Sequence, residues 1–305
     1  MNIIELERVT RRYGRTEAVH ELTLTVPAGS VLALLGANGA GKTTTIKVLM
    51  NLLQPTSGAA RVLGVDSRQL RERELAQIGY VSENQQLPLW MTVRQLLDYC
   101  RPFYPRWDRG LEATLLKQFS LPENRKLSQL SRGMLMKAAL LSSLAYRPKL
   151  LVLDEPFSGL DPLVRDDFIR GLLEVSAQGD WTVLVSSHDI EEVERLCDHI
   201  AMLEAGRLRL TEATESLQGR FRRVVVAGAL PPGVQAGRPE WLEWETAGAL
   251  TRFVDTKYAG EATERAWRER FAGATVTAQP MTLREIFMAL ARAGRSGTGI
   301  REASA

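Results

Sequence analysis

The chain has 305 residues, which is too long for one ordinary small domain and suits one large domain with a smaller one. Its hydrophobic fraction of 45% and charged fraction of 25% are those of a globular protein, which excludes wholesale disorder. The formal net charge of +3 is small for this length, so the dense basic character of a nucleic-acid binder is missing and no nucleic-acid partner is expected.

The cysteines and the lengths of the apolar stretches indicate in which cell compartment the chain is expected to lie. Cys100 and Cys197 are far apart and lack metal-ligand spacing, which indicates buried, reduced thiols in a reducing cytoplasm. Residues 1–12 have no apolar core of the signal-peptide kind. The most apolar stretches, such as 138–145, are far shorter than the roughly 20 residues that span a bilayer. We therefore expect a soluble chain that reaches a membrane only through a partner.

Short apolar runs alternate with helical patterns through the first two hundred residues. This order predicts an α/β core of parallel strands with crossover helices. The runs that are apolar throughout lie at 31–35, 149–154 and 182–186. Runs with more polar alternation predict an antiparallel strip at one side of this core, and they lie at 3–9, 22–26 and 61–65.

Strand patterns are missing between about 84 and 146, where helical patterns predict an insertion into the α/β core. Thr92 and Gln95 form a predicted capping box that opens one helix. The segment 103–108 interrupts the pattern, and a second helix is predicted at 111–119.

The composition changes toward the C-terminus and predicts a small α+β domain. Short strands are predicted at 224–226 and 275–277, with a loop rich in proline and glycine at 231–239 between them. Thr282 and Glu285 form a second predicted capping box, which opens an amphipathic closing helix. The predicted divisions are a large domain at 1–217, the accessory domain at 218–294 and a disordered tail at 295–305.

A glycine-rich loop joins the apolar run 31–35 to a helical pattern, which is the order that a P-loop requires. Glycines let backbone N–H groups point inward around a phosphate, and the helix that follows adds its positive end. A lysine there supplies charge to the β- and γ-phosphates, and a threonine offers its hydroxyl to Mg²⁺. The loop residues are Gly36, Ala37, Asn38, Gly39, Ala40, Gly41, Lys42 and Thr43.

The buried run 149–154 ends in Asp154, with Glu155 directly after it, and we expect this strand to lie beside the strand before the loop. Beside that strand, Asp154 is expected to hold the magnesium and its water shell. Glu155 is expected to point toward the γ-phosphate, where an acid orients and polarises the attacking water. Together with the phosphate loop, this pair predicts hydrolysis of a nucleoside triphosphate.

Three further segments occur in a fixed order around these acids. Leu-Ser-Arg-Gly-Met at 130–134 precedes a long helical pattern, Ser-Gly-Leu-Asp lies at 158–161, and His188 follows the run at 182–186. With the phosphate loop, these segments resemble the ATP-binding cassette (ABC) family over about residues 1–215. The resemblance implies a P-loop NTPase fold with a mixed sheet core, an antiparallel β subdomain and a helical subdomain.

The resemblance also implies ATP and Mg²⁺ as ligands and assigns roles residue by residue. Glu155 and His188 would act catalytically, His188 by contacting the γ-phosphate. Thr43, Asp154 and Glu83 would serve the metal. The residues implied to contact nucleotide, besides the loop residues 36–43, are Tyr13 (stacking on adenine), Val19, Thr44, Asp154, Ser131, Arg132, Gly133 and Asp161.

The family mechanism is a head-to-tail dimer, in which each ATP lies between one subunit's phosphate loop and the other's signature segment. In this chain Ser131 and the backbone at Gly133 would face the partner's γ-phosphate, at a helix start that favours an anion. Binding would close the dimer and hydrolysis would release it. The second ATPase subunit would be an identical copy or an unlike partner.

Two positions depart from the common family pattern. Arg132 stands where the signature has its first glycine, with Met134 in place of glutamine, and Arg132 would add charge to the site. Glu83 stands where the family places a glutamine that contacts Mg²⁺ and water. Glutamate remains a hard oxygen ligand, and Gln85 and Gln86 are competing candidates for the same role.

Segments around Glu83, together with the closing domain, resemble the ABC-2-type export ATPases. That branch implies transmembrane permease subunits as partners and a place on the inner face of the cell membrane. The apolar cluster 87–91, which contains Trp90, is either packing under the helical insertion or a docking groove for a helix of such a subunit. The alternative functions are a soluble cassette ATPase acting on ribosomes or DNA, and a module that binds ATP without hydrolysing it.

Overall fold

The structure is a computed structural model that describes residues 1–176, 181–230, 233–234 and 238–295. It divides the chain into two compact units, Met1–Thr211 and Glu212–Ala305. The boundary predicted between residues 217 and 218 falls six residues later along the chain than this division.

Ten strands are described up to residue 213, and they form two sheets. They are β1 (Asn2–Tyr13), β2 (Thr16–Pro27), β3 (Val31–Leu35), β4 (Ser57–Val62), β5 (Val65–Asp66), β6 (Ile78–Ser82), β7 (Leu150–Asp154), β8 (Thr182–Ser187), β9 (His199–Glu204) and β10 (Arg207–Ala213).

A six-stranded sheet forms the centre of the first unit, in the order β10-β9-β3-β8-β7-β6. Strands β9, β3, β8, β7 and β6 run parallel to one another. Strands β7 and β8 are buried along their whole length, which explains their continuous apolar runs. The predicted parallel core is therefore confirmed.

The second sheet of this unit has the order β2-β1-β4-β5, with antiparallel neighbours throughout. Alternate residues of β2, among them Leu22, Leu24 and Val26, are buried in the core that the two sheets share. The predicted antiparallel strip is confirmed.

Helices surround these sheets. They are α1 (Lys42–Leu49), α2 (Glu72–Leu75), α3 (Val93–Cys100), α4 (Arg109–Gln118), α5 (Arg132–Leu144) and α6 (Pro162–Ser176). The capping box at α3 is present, with Gln95 N donating to Thr92 Oγ1 and Thr92 N donating to Gln95 Oε1. Within the described ranges, none of the helices combines the length and the apolar character needed to cross a membrane. Cys100 and Cys197 form no disulfide bond; Cys197 is buried as predicted, whereas Cys100 is only half-buried.

The second unit contains a four-stranded antiparallel sheet in the order β12-β13-β11-β14. Strands β11 and β14 and the last helix match predicted elements, whereas β12, β13 and α8 were not predicted. Residues 231–232, 235–237 and 296–305, which include most of the predicted loop and tail, lie outside the described residues. The elements are α7 (Thr214–Arg220), β11 (Arg222–Ala227), β12 (Trp241–Ala247), β13 (Leu250–Asp255), α8 (Glu261–Arg270), β14 (Thr275–Pro280) and α9 (Leu283–Arg295).

Aromatic side chains and one buried carboxylate form the core of this second unit. Trp241 and Phe253 pack with ring centroids 4.6 Å apart. The indole N–H groups of Trp241 and Trp267 donate to Asp255 Oδ2 at 3.1 and 3.2 Å, and Lys257 N donates to Asp255 Oδ1 at 2.7 Å. The buried charge therefore has its hydrogen bonds inside the unit.

Candidate functional site

The site lies at one edge of the central sheet, where parallel strands end together. The register pairs Ser82 with Asp154, Asp154 with Ser186, and Ser187 with Leu35. The residues that follow these strands therefore emerge side by side, and they are the predicted site residues Gly36, Glu83, Glu155 and His188. Ligands bind at this edge in open α/β sheets.

Backbone shape and close packing explain the glycines of the phosphate loop. Gly39 and Gly41 have φ values of +83° and +104°, which other residues rarely adopt. A Cβ on Gly41 would lie 2.5 Å from Ala18 O, and one on Gly36 would lie 2.5 Å from Leu203 O. Gly41 is also the N-cap of α1 and has no side chain to cap it, so the N–H groups of the first turn are available to an anion.

Lys42 is buried at the centre of this loop. Its Nζ donates to Gly36 O at 2.6 Å and to Ala37 O at 3.3 Å. The same Nζ lies 2.9 Å from Glu155 Oε1, within ion-pair distance. The ammonium group is thus held by its own loop and faces the acid that follows β7, which fits a site for phosphate oxygens.

Thr43, Asp154 and Ser186 form a cluster of hard oxygen atoms. Thr43 Oγ1 donates to Asp154 Oδ1 at 3.1 Å, and Ser186 Oγ donates to the same oxygen at 2.7 Å. The prediction that β7 lies directly beside β3 is wrong, because β8 lies between them. Ser186, on the intervening strand, connects the acids of β7 to the phosphate-loop side of the sheet. A carboxylate and a hydroxyl so placed are suited to Mg²⁺.

Glu155 adopts a left-handed conformation, with φ at +52°. For a residue with a Cβ this conformation costs on the order of 1 kcal/mol, and strain of this kind concentrates at functional sites. Glu155 N donates to Ser186 Oγ at 3.0 Å, which fixes the start of the turn. The carboxylate then reaches Lys42 through Oε1 and His188 through Oε2, which lies 2.8 Å from Nδ1.

His188 and Glu192 complete the surroundings of that carboxylate. The hydrogen bond to Glu155 raises the pKa of the His188 imidazole, and the charges of Glu155 and Glu192 add to the effect. Glu192 is buried and accepts from Ser187 Oγ at 2.5 Å. Ligand atoms of Glu155, His188 and Glu192 all lie within 4.8 Å of one another. The structure therefore gathers a proton-carrying group and two acids, one of which pairs with Lys42.

Tyr13 and Val19 differ in accessibility. Tyr13 ends β1 and is exposed, and the Arg11 guanidinium lies 4.8 Å from its ring centroid. Val19 is fully buried, and its Cγ2 lies 3.4 Å from the position of a Cβ on Gly41. The ring of Tyr13 can therefore meet a ligand, whereas Val19 supports the phosphate loop from behind. Thr44, in the first turn of α1, is half-buried.

The signature segment begins α5. Ser131 is exposed and caps the helix, with Met134 N donating to Ser131 Oγ at 3.3 Å. Gly133 is buried, and a Cβ there would lie 2.5 Å from Val164 Cγ1 of α6. Asp161 is exposed and caps α6, where Oδ1 accepts from Leu163 N and Val164 N. The close contact between α5 and α6 thus explains the glycine in the signature.

Arg132 and Glu83, the two departures from the family pattern, contact each other. Arg132 Nη2 donates to Glu83 Oε1 at 2.8 Å, and Ser158 Oγ donates to the same oxygen at 2.7 Å. These bonds lower the pKa of the Glu83 carboxyl, and the bond from Ser158 has the larger effect. Glu83 N donates to Asp154 O at 3.0 Å, whereas Gln85 and Gln86 are exposed. Of the three candidates for the glutamine role, Glu83 is therefore the one that is hydrogen-bonded within the site.

Sequence reasoning missed Ser186 and Glu192. Each lies within four residues of the predicted site residue His188, and this closeness was the only signal for them. Neither matches a motif with assigned chemistry. Their contribution depends on the strand order, which brings Ser186 next to Asp154.

Comparison with known proteins identifies the family. A family model described as ABC transporter matches residues 19–158. The Nod factor export ATP-binding protein I of Rhizobium leguminosarum bv. viciae is 38% identical over 210 residues, which cover 67% of each chain. The ABC transporter ATP-binding protein YtrB of Bacillus subtilis (strain 168) is 29% identical, covering 74% of this chain and 77% of that protein. A solved ATP-binding subunit of an ABC transporter superposes with a TM-score of 0.64 at 28% identity, covering 71% of this chain and 92% of that one. The chain therefore belongs to the ABC transporter family, as one of its ATP-binding, ATP-hydrolysing proteins.

Proposed function

We propose that this chain is the ATPase subunit of an exporter, and that it works as a dimer on separate transmembrane permease subunits. The observation that carries the hydrolytic part is the contact of the Glu155 carboxylate with both Lys42 and His188 at the edge of the sheet. The name of the Nod factor export relative supports the export direction. The proposed location is the cytoplasmic face of the membrane, through the permease.

The residues of the site fit ATP and Mg²⁺. The glycine-rich backbone and the first turn of α1 would bind the phosphates, with Lys42 matching their charge. Tyr13 would stack on the base, and Val19 would keep Gly41 in place. Thr43 and Asp154 would hold Mg²⁺, with Glu83 contributing through its side chain or through water. Bound Mg²⁺ would neutralise negative charge on the phosphates.

The chain's own groups then account for the chemistry. Glu155 would orient a water molecule toward the γ-phosphate and accept its proton as the water attacks. His188, whose pKa is raised by Glu155, would hold a proton at Nδ1 and so fix the position of that carboxylate. Because Lys42 pairs with Glu155 in this structure, the γ-phosphate would compete for Lys42 and release the carboxylate toward the water. Ser131, Arg132, Gly133 and Asp161 would form the face toward the second ATPase subunit, identical or unlike.

Replacing Glu155 with Gln tests the hydrolytic assignment. We expect ATP turnover to fall by about 10²- to 10⁴-fold because the amide cannot accept the proton. Glu72→Gln, at an exposed position of α2, is the matched control and should hydrolyse ATP at the parental rate. Parental turnover in Glu155→Gln would show that another group acts on the water.

An exposed aromatic side chain supports the membrane partner. Trp90 is 70% exposed, and the backbone on either side of it is fixed by hydrogen bonds from Ser128 N to Leu89 O and from Leu127 N to Met91 O. A rigidly held, exposed tryptophan is typical of an anchor at a protein interface. We infer that it docks on a helix of the permease.

Affinity purification of the tagged chain from detergent-solubilised membranes tests this docking. A membrane protein with several spans should co-purify with the parent and be reduced at least about tenfold with Trp90→Ala. ATP turnover by the isolated variant should be unchanged, because Trp90 lies outside the site. Recovery of ribosomal proteins or DNA, with no integral membrane protein, would favour the soluble alternative and contradict the exporter.

A further inference from the structure

Two substitutions that set this chain apart from the family pattern lie in contact, although 49 positions separate them along the chain. Arg132 opens α5, and Glu83 follows β6. Their side chains are 52% and 32% exposed, so the ion pair is partly solvated and contributes little to overall stability. A contact of this kind has its main effect on local geometry.

The guanidinium of Arg132 also lies directly against the turn that follows β7. A Cβ on Gly159 would be 2.7 Å from Arg132 Nη1 and 3.1 Å from its Cζ. Gly159 has a φ of +66°, so both its backbone and its surroundings favour glycine. Arg132 therefore contacts this turn at two points, through Gly159 and, by way of Glu83, through Ser158.

Hydrogen bonds continue from this cluster to the acid of the site. Ser158 Oγ donates to Glu83 Oε1 at 2.7 Å, and Ser158 N donates to Glu155 O at 3.3 Å. Glu83 N in turn donates to Asp154 O at 3.0 Å. The turn that Glu155 begins in a left-handed conformation is thus held at its far end by Ser158, whose hydroxyl is held by Glu83.

We propose that Arg132 is a positioning residue for Glu155, acting through Glu83 and the turn 155–159. The inference rests on the proposed role of Glu155 in hydrolysis. A positively charged side chain at the first signature glycine and an acid at the usual glutamine form a matched pair. Together they stabilise the left-handed backbone conformation of Glu155, which costs energy. Arg132 acts inside its own subunit here, in addition to any contact with a second one.

A double-mutant cycle tests the proposal, with Arg132→Gln, Glu83→Gln and the two combined in the full-length chain. Each single variant should lower kcat at saturating MgATP by roughly three- to tenfold, since each removes one side of the contact that supports the turn of Glu155. The double variant should be no worse than the poorer single one, because both changes break one link. Arg132→Lys, which keeps the charge, should recover part of kcat.

Arg195→Gln is the matched control. Arg195 donates to Asp166 at 3.1 Å in another exposed ion pair of the same unit, and its loss should leave kcat unchanged. Thermal unfolding of all variants should stay close to that of the parent, which separates positioning from a loss of folding.

Amide hydrogen exchange of the nucleotide-free chain gives a readout that does not depend on turnover. Peptides covering 155–161 should exchange faster in Arg132→Gln and Glu83→Gln than in the parent and in Arg195→Gln. Additive losses of kcat in the double variant, unchanged exchange in this turn, or a raised KM with kcat unchanged would each overturn the proposal. Undiminished turnover in Glu155→Gln would instead overturn the role of Glu155 itself, which the exchange experiment does not depend on.

Discussion

Both units bury charged groups, but the partners of these charges differ between the two units. In the first unit, Lys42 and Asp154 are buried at the open edge of a sheet, where their partners are other site residues. In the second unit, Asp255 is enclosed by two indole N–H groups and a backbone N–H. Burying a charge costs free energy in both places. In the first unit the buried charges pair with groups of the candidate nucleotide site, whereas in the second unit the Asp255 carboxylate has its hydrogen bonds inside the fold.

The largest expected effect in this comparison is the loss of ATP affinity when the buried charge of Lys42 is removed. Lys42→Ala should weaken ATP binding at least about 100-fold, or about 3 kcal/mol, because the ammonium charge at the phosphates is lost. Titration with a fluorescent ATP analogue measures the change. Lys47→Ala, at an exposed position of the same helix, is the control and should bind like the parent. Affinity within threefold of the parent in Lys42→Ala would show that the backbone alone holds the phosphates.

The enclosed charge should affect folding and leave nucleotide binding unchanged. Asp255→Ala removes the acceptor of two buried indole N–H groups, and we expect the second unit to lose about 2–3 kcal/mol of its free energy of unfolding. Hydrogen exchange of peptides from β12 and α8 should report the loss, while Glu269→Ala at an exposed position of α8 should not change it. ATP affinity altered along with stability would break the contrast between the two units.

Each unit has a helix that begins with a threonine capping box, so the same Thr→Ala substitution can be used to compare the stability of the two units. Thr92 caps α3 in the first unit, and Thr282 makes the same reciprocal bonds with Glu285 in the second. Thr92→Ala and Thr282→Ala should each cost about 1 kcal/mol, within the unit that carries the cap. Exchange protection measured in α3 and in α9 would show whether each effect stays local. A change spread over both units would indicate that they unfold as one.

The smallest effect is the pH dependence of the His188–Glu155 pair. Because the pKa of His188 is raised in the folded chain, its contribution to stability is complete below the unfolded pKa of about 6.5 and is lost as pH rises through the folded value. His188→Gln should therefore lower the free energy of unfolding by up to about 1 kcal/mol below pH 6.5 and by nothing at high pH. Chemical unfolding of both proteins across pH 5.5–9 measures this. His199→Gln is the control for general histidine effects, since His199 is half-buried and also paired with an acid.

Prediction from the sequence was most complete where a motif carries its own backbone requirements. The loop 36–43, the two acids at the end of β7 and the paired caps at Thr92 and Thr282 all depend on residues close together in the chain. The second unit was predicted less fully. Strand β12 alternates weakly, with both Trp241 and Leu242 buried, and α8 has a single buried residue, Trp267, among polar neighbours. Short-range periodicity is faint in such elements, so β12, β13 and α8 were missed.

The sequence by itself determined the local chemistry of this protein: a phosphate loop, a pair of acids and a histidine, each following a buried strand. Only the tertiary structure decided that β8 lies between β3 and β7, so that the Ser186 hydroxyl bonds both the Asp154 carboxylate and the backbone N–H of Glu155. It also decided that Arg132 meets Glu83 and the turn of Glu155. The physical reason is that motif residues are constrained by the backbone around them, whereas partners far apart in the chain are set by strand order and helix packing, which no short stretch of sequence encodes.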